Sequence, residues 1–306
     1  MKSLREEFAS TALDIAKKDK NVVVIVGDIS HGLFKPYAKK FSNRYFNIGI
    51  CEPSMVNLAS GLSKIGFTPL VHTIAPFLIE RSYEQIKLDF GYQNENINLI
   101  SVGGSFDYSQ LGCSHHCYND VSLMSHLKRS NIVIPGSPLE FNVIFKKIYK
   151  KKMINYFRLT ENQHGISIPK SEIVFGKGIK IQNGKDITIA TIAPQLNEVL
   201  KAASKLKEIG INAEILYFHT FKPFDGRLLN DSVRKTKKIL CVEELSKHGG
   251  LFNQCVINLL GQDKLKFCQL AVNDFVYGYG SHIDLMKKAG IAQNDIFNGA
   301  IKLLRD

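Results

Sequence analysis

Four side chains in the sequence are of types that can act on a bound molecule. The carboxyl group of Glu52 and the imidazoles of His115 and His116 can exchange protons, and the ring of Phe77 can stack on a flat ligand. Spacing alone slightly favours simpler roles. A carboxylate before a proline suits a helix N-terminus, loop histidines are often surface polar groups, and phenylalanine is more often core.

An alternation of strand and helix patterns places these candidates at one edge of a sheet. Apolar β-branched runs such as 97–102 are followed by helical patterns such as 138–151. The order predicts an α/β fold with two doubly wound open-sheet domains. We expect one domain at residues 1–165, a polar linker at 166–185 and a second domain at 186–306.

The predicted strand ends bring the candidates together. Glu52 follows the strand predicted at 45–49, Phe77 follows the one at 70–73, and His115 lies in the loop after 97–102. In open α/β sheets, ligands bind beyond the carboxyl ends of the strands. We therefore expect a small-molecule site at this edge.

Charge and hydropathy argue against nucleic-acid and membrane partners. The net charge is +12, but the lysines are spread in pairs along the chain rather than gathered in one arm. No apolar run reaches the ~18 residues that a membrane span needs, and no signal region follows the charged start. We expect a cytoplasmic protein whose excess charge is solvated surface, or else serves an anionic ligand.

The cysteines predict neither disulfides nor a metal centre. The six cysteines show no spacing typical of a disulfide framework. The run from Cys113 to Cys117 holds four potential zinc ligands, but adjacent ligands close poorly around one tetrahedral ion and no second pair follows. We predict no metal ligand in this chain.

Several ordered motifs resemble the transketolase family and the related 1-deoxyxylulose-5-phosphate synthases, from about residue 3 to 300. The matching stretches are Gly27-Asp28, 47–56, 81–85, 113–124, 221–225 and 242–251. The resemblance implies the pyrimidine-binding and C-terminal domains of that family, and thiamine diphosphate as the cofactor.

The resemblance also implies roles for individual residues. Glu52 matches the glutamate that hydrogen-bonds the N1′ atom of the aminopyrimidine and so promotes deprotonation of the thiazolium ring. Asp28, Phe77 and Arg81 match positions around the cofactor, with Phe77 placed to stack on the ring. A set of three residues is expected at the substrate: His115, which matches the histidine that contacts the donor oxygen, with His116 and Arg158.

The motifs that would bind the rest of the cofactor are missing. Whole transketolases hold the diphosphate and Mg²⁺ through a Gly-Asp-Gly motif in an earlier domain, whereas this chain has Gly27-Asp28-Ile29 in another position. We therefore expect an N-terminal partner subunit that carries that half, in a heterotetramer with sites at the interfaces.

Two positions depart from the family pattern. Leu111 stands where the family carries an aspartate that recognises a donor hydroxyl, and Glu161 stands where it carries an arginine that reaches a substrate phosphate. A carboxylate repels a phosphate, so we expect an unusual sugar substrate, for example a nucleotide-linked keto-sugar. The open alternatives are the β subunit of a 2-oxo acid dehydrogenase decarboxylating component and a non-catalytic subunit that kept the fold.

Overall fold

The chain folds around two open sheets, one built mainly from each half of the sequence. The computed structural model describes residues 2–305. The strands are β1 (Val22–Val26), β2 (Tyr45–Asn47), β3 (Thr68–Ile74), β4 (Ile97–Val102), β5 (Ser130–Val133), β6 (Ile154–Arg158), β7 (Ile179–Gln182), β8 (Ile187–Thr191), β9 (Ala213–Tyr217), β10 (Thr220–Lys222), β11 (Lys238–Ser246) and β12 (Lys266–Val272).

The first sheet has seven strands in the order β10-β5-β6-β4-β3-β1-β2. All neighbours pair in parallel except β10, which runs antiparallel to β5. β1, β4 and β6 are buried along their whole length, because helices cover both faces of the sheet. β1 reads as a continuous apolar run and β4 nearly so, which is why they could be found in the sequence, whereas β6 includes Asn155 and Arg158.

Helices connect the strands and cover the sheets. They are α1 (Leu4–Ala16), α2 (Lys35–Lys40), α3 (Glu52–Lys64), α4 (Tyr83–Gln85), α5 (Asp120–Ser125), α6 (Pro138–Ile148), α7 (Leu196–Glu208), α8 (Gly226–Thr236), α9 (Leu251–Leu259), α10 (His282–Lys288) and α11 (Gln293–Arg305). Ser3 begins α1 with a capping box to Glu6, and Ser137 caps α6 before a proline.

The segment after β3 is not one regular α-helix. Wide π turns occupy Pro76–Glu80 and Ile86–Tyr92, on either side of the short α4. The amide of Arg81 donates to the carbonyl of Pro76, which closes a five-residue turn and places Phe77 and Arg81 side by side. Insertions of this kind are frequent at functional sites.

The second sheet has five strands in the order β12-β11-β8-β9-β7, with β7 antiparallel to β9. β7 lies inside the range expected as linker, and β10 belongs to the first sheet although it lies in the range expected as the second domain. Both are short edge strands, for which the sequence carries little periodic signal. The domain bounds themselves stay a prediction.

The predicted fold class is confirmed, since each half of the chain is an open, mainly parallel sheet between helices. A buried cluster joins the halves: Glu140 of α6 contacts His164 at 2.6 Å and accepts a hydrogen bond from the hydroxyl of Tyr217 at 2.8 Å. None of the helices within residues 2–305 is long and apolar enough to cross a membrane.

Candidate active site

A cavity of about 420 Å³ opens at the carboxyl edge of the first sheet, beyond the ends of β1 and β3. The expected residues Asp28, Glu52, Phe77 and His115 all contribute to its wall. The lining is Gly27, Asp28, Ile29, Ser30, His31, Ile50, Glu52, Thr73, Ile74, Phe77 and His115. Strand order therefore gathers residues that are far apart in the sequence, as expected for an open α/β sheet.

Glu52 is the first residue of α3, and its side chain is only 1% exposed. Its Oε2 accepts a hydrogen bond from Nη1 of Arg81 at 2.6 Å. Its Oε1 lies 3.5 Å from the hydroxyl of Thr73, which is at the limit for a hydrogen bond. Oε1 therefore keeps the capacity to bond a ligand in the cavity.

A glycine at the end of β1 lets α3 approach the sheet this closely. A Cβ atom on Gly27 would lie 2.9 Å from the sulfur of Met55 and 3.0 Å from Oγ1 of Thr73. Any larger residue would push α3, and Glu52 with it, away from the strand ends.

Arg81 lies between Glu52 and Phe77. Its guanidinium carbon is 4.2 Å from the centroid of the Phe77 ring, a cation–π contact, while Nη1 bonds Glu52. The edge of Phe77 meets the ring of His115 at 5.2 Å between centroids. Glu52, Phe77 and His115 therefore lie side by side in the wall and pair a carboxylate with an aromatic surface, whereas Arg81, which was expected at the cofactor, contacts Glu52 and Phe77 without being among the lining residues.

Asp28 stands in a tight turn that Asn47 holds in place. Its φ of 64° is in the left-handed region, which aspartate tolerates better than most residues. Oδ1 of Asn47 accepts hydrogen bonds from the amides of Asp28 at 3.0 Å and Gly49 at 3.1 Å. One side chain thus ties the loop after β1 to the loop after β2. The carboxylate of Asp28 stays 61% exposed at the cavity.

A buried histidine fixes the hydroxyl of Ser30, another wall residue. Nδ1 of His72 lies 2.7 Å from the carbonyl oxygen of Ile100, so it must carry the proton and donate it. Nε2 then accepts from Oγ of Ser30 at 3.0 Å. Burial lowers the pKa of His72 to about 4, which keeps the ring neutral and this arrangement constant at physiological pH.

The two neighbouring histidines have different surroundings. His115 lines the cavity, and its Nδ1 lies 3.0 Å from the hydroxyl of Ser114. His116 is 3% exposed and packs edge-on against Phe106, and neither of its ring nitrogens has a partner among residues 2–305. Burial lowers the pKa of His116. Of the two, only His115 is placed to meet a ligand in the cavity.

Arg158 is not at the cavity, contrary to its expected place near the substrate. The side chain is 1% exposed, and its Nε donates to Asp120 at 2.7 Å. Its Nη2 donates to the hydroxyl of Ser105 and the carbonyl of Cys117, and Tyr156 donates to the same carboxylate oxygen of Asp120. These bonds hold the guanidinium inside the protein, so Arg158 braces the 103–120 loop from behind.

The donor set fits the aminopyrimidine half of thiamine diphosphate. A flat ring with a basic nitrogen needs a carboxyl oxygen in its plane and an aromatic or apolar face, which Glu52, Phe77, Ile50 and Ile74 provide. The wall contains no lysine or arginine for a diphosphate. Within residues 2–305, no three His, Cys, Asp or Glu side chains gather as a metal site.

Three polar wall residues were missed by sequence reasoning, Ser30, His31 and Thr73, and so was the apolar Ile74. Thr73 ends the predicted strand at 70–73, so the strand-end rule that selected Glu52 also pointed to it. Ser30 and His31 follow Asp28 directly, but nothing in their types separates them from ordinary loop residues.

The chain matches two family models in sequence. Residues 1–165 match the transketolase pyrimidine-binding domain, and residues 176–296 match the transketolase C-terminal domain.

Relatives in three groups are similar along most of the chain. An apulose-4-phosphate transketolase chain of Phocaeicola vulgatus, one of the subunits of that enzyme, is 26% identical, covering 100% of this chain and 98% of the relative. The 6-deoxy-6-sulfo-D-fructose transketolase subunit of Clostridium sp. (strain MSTE9) is 26% identical, covering 97% and 93%. The 1-deoxy-D-xylulose-5-phosphate synthase of Clostridium perfringens (strain 13) is 31% identical over 97% of this chain but 48% of its own length.

Solved structures show the same fold. A split-gene transketolase, solved as an inactive β4 tetramer, superposes with a TM-score of 0.89 at 27% identity, covering 99% of this chain and 98% of that one. The transketolase of Campylobacter jejuni superposes with a TM-score of 0.80 at 14% identity, over 98% of this chain and 46% of its own. The second likeness is one of fold alone.

Proposed function

The chain belongs to the transketolase family, and we propose that it is the C-terminal subunit of a split, thiamine diphosphate-dependent transketolase that transfers a two-carbon ketol unit between sugars. The observation that carries the proposal is the cavity where Glu52, Phe77 and His115 share one wall. It offers what the aminopyrimidine half of the cofactor needs, but its lining has no lysine or arginine for the diphosphate, and residues 2–305 contain no cluster of His, Cys, Asp or Glu that could hold the metal ion.

The residues of this chain would then divide the work. Bound thiamine diphosphate supplies an electron sink that makes and breaks carbon–carbon bonds next to a carbonyl group. Oε1 of Glu52 shares a proton with the N1′ atom of the aminopyrimidine, while Arg81 keeps its bond to Oε2 and fixes the carboxylate. Phe77 gives the ring a stacking surface, and Ile50 and Ile74 exclude water from it.

His115 lies at the substrate side of this wall and would bond the reacting oxygen of the donor. Asp28 lines the same cavity, on the turn that Asn47 holds. Arg158 and His116 have no direct part in this proposal, because both are buried outside the cavity.

Activity requires a partner in this proposal. The N-terminal subunit would hold the diphosphate and Mg²⁺, and two copies of each chain would form a heterotetramer with sites at the interfaces. The similar split-gene chain that was solved as a β4 tetramer is inactive in that form, which supports dependence on a partner.

The substrates of this proposal are sugars other than simple sugar phosphates. The similar chains named above act on unusual sugars, apulose 4-phosphate and 6-deoxy-6-sulfo-fructose. Leu111 and Glu161 replace the hydroxyl- and phosphate-binding residues of the family pattern, and Leu111 is 53% exposed. A nucleotide-linked keto-sugar is one example. Efficient use of xylulose 5-phosphate as donor would contradict this part of the proposal.

Calorimetry tests the divided site directly. Thiamine diphosphate with Mg²⁺ is titrated into this chain alone, and into its complex with the N-terminal subunit encoded beside it, isolated by size exclusion. We expect binding only to the complex. Tight binding to this chain alone would contradict the division of the site, and no binding to the isolated complex would favour a non-catalytic subunit.

A further inference from the structure

A second hollow, of about 500 Å³, lies beside the candidate active site. Its lining includes Ser30 and His31, which also line the first cavity, so the two spaces adjoin along these residues. A ligand longer than the first cavity would therefore have room to continue into the second.

Arg5 lines this hollow from the first turn of α1, and its guanidinium is paired with Glu161, which is not itself among the lining residues. Nη2 of Arg5 lies 2.9 Å from Oε1 of Glu161, and the two side chains are 32% and 39% exposed. Glu161 comes from the loop after β6, more than 150 positions along the chain, so only the tertiary structure creates the pair. Both groups stay partly open to a ligand.

The backbone holds Glu161 in place. Its amide donates to Oδ2 of Asp107 at 3.1 Å, and the side chains of Thr160 and Asn162 donate to Oδ1 of the same carboxylate at 2.9 and 2.8 Å. Three hydrogen bonds to one side chain fix three consecutive residues of the loop. The carboxylate of Glu161 is thus presented to Arg5 by a pinned loop.

The charges of the hollow do not suit a phosphate. Arg5 is the only lysine or arginine in its lining within the described part of the chain, the carboxylate of Glu6 lines it too, and that of Glu161 pairs with Arg5 from the loop after β6. A phosphate on Arg5 would approach the Glu161 carboxylate, which already occupies one edge of the guanidinium. The pair offers N–H donors and carboxylate acceptors side by side, which matches neighbouring hydroxyl groups, since each hydroxyl both donates and accepts.

A third polar group lies nearby with nothing to bond. The hydroxyl of Tyr108 is buried and has no partner among residues 2–305. Its ring is 6.3 Å from that of His115, between centroids. Burial raises the pKa of Tyr108 to about 12, so the phenol keeps its proton at physiological pH.

We propose that Arg5 and Glu161 form a subsite for the neutral, hydroxyl-bearing end of the sugar substrate, and that Glu161 rejects a phosphate at that end. The inference rests on the proposed transketolase function and narrows its substrate class. Arg5 supplies donors to the sugar oxygens and Glu161 accepts from the sugar hydroxyls.

Phosphate binding tests the subsite without any turnover. Inorganic phosphate is titrated by calorimetry into the full chain in three forms: wild type, Glu161→Arg and the isosteric Glu161→Gln. We expect Glu161→Arg to bind phosphate on the order of 10–100-fold more tightly than the wild type. Glu161→Gln should fall between them. Wild-type binding as tight as that of Glu161→Arg would overturn the proposal.

Acceptor selectivity provides the second arm, in the complex with the partner subunit. With hydroxypyruvate as donor, kcat/KM is compared for D-ribose and ribose 5-phosphate. We expect Glu161→Arg to shift the ratio toward the phosphorylated acceptor by roughly 10–100-fold and Glu161→Gln by less. An unchanged ratio in folded variants would overturn the proposal.

Two controls separate the possible failures. Glu208→Arg makes the same charge change at an exposed position at the end of α7, in the half of the chain that forms the second sheet. It should alter neither phosphate binding nor selectivity. Release of CO₂ from hydroxypyruvate without acceptor reports the proposed function by itself. If the wild-type complex releases no CO₂ from hydroxypyruvate, the transketolase proposal is refuted, while phosphate binding would still decide the role of Glu161.

Discussion

Replacing Glu52 by glutamine should separate catalysis from folding, because the structure gives the carboxylate few contacts that need its charge. A glutamine has the same shape, and its side-chain oxygen can accept the bond from Arg81. Arg81 is 45% exposed, so water and salt screen the ion pair. We expect the free energy of unfolding to change by about 1 kcal/mol or less.

Activity should respond very differently. In the proposed mechanism, Oε1 of Glu52 shares a proton with the cofactor, which an amide oxygen cannot do. Positioned proton transfer typically contributes ~10²–10⁴ in rate, which corresponds to about 3–5 kcal/mol of transition-state stabilisation. The loss of transition-state stabilisation should therefore be several-fold larger, in kcal/mol, than the change in the free energy of unfolding.

The assay compares kcat of the complex with the partner, and chemical unfolding of the isolated chain, for the wild type and Glu52→Gln. Glu84→Gln serves as the matched control, because Glu84 is on the adjoining α4 with its side chain 61% exposed and bonds only Lys87 in the described structure. The Glu84→Gln variant removes the same charge and should leave both kcat and the free energy of unfolding unchanged. Wild-type turnover in Glu52→Gln would refute the role of the carboxylate.

The surroundings of His115, Arg158 and His282 allow three more tests of the structure. His115→Asn should lower kcat by ~10²-fold or more, whereas His116→Asn should change stability rather than turnover, and equal losses of kcat would contradict this. Arg158→Met leaves the buried carboxylate of Asp120 without its ion-pair partner, and should lower the free energy of chemical unfolding by about 3–5 kcal/mol without changing substrate selectivity. A raised KM with normal stability would instead indicate that Arg158 contacts the substrate. Burial acts to lower the pKa of His282, but Glu244 at 2.7 Å raises it to about 9. Since the pKa of His282 in the folded protein lies above the unfolded value near 6.5, its contribution to the free energy of unfolding is complete below pH ~6.5 and is lost toward pH ~9, by up to ~3 kcal/mol. A His282→Gln variant should not show this decline in stability. A decline that persists in the variant would contradict the assignment to His282.

The strand and helix order was predictable because buried parallel strands are short, apolar and β-branched. β1 and β4 stand out for this reason, and Glu52 was expected before a helix that indeed begins at that residue. The edge strands β7 and β10 and the strand β12 were not predicted. Each is only partly buried and carries no continuous apolar run.

The π turns of the 76–92 segment also lay beyond sequence reasoning. A helical pattern of apolar residues fits a regular helix equally well, and only packing against α3 and α5 decides where the wider turns form. Their effect is local but important, because the turn at Pro76–Glu80 brings Phe77 and Arg81 together.

By itself, the sequence determined the fold class, the family and the edge of the sheet where Glu52, Phe77, Asp28 and His115 meet. Hydrophobic periodicity and the ends of strands depend on residues that are close together in the chain, so they can be recognised from the sequence alone. The tertiary structure alone decided the partners of the charged groups. Arg158 has the type and position of a substrate residue, yet Asp120 holds it inside the protein, whereas Arg5 is paired with Glu161, a residue remote from it in the sequence. Charge pairing depends on distances between segments that are remote in sequence, and burial sets its strength, so neither can be read from residue types and spacing.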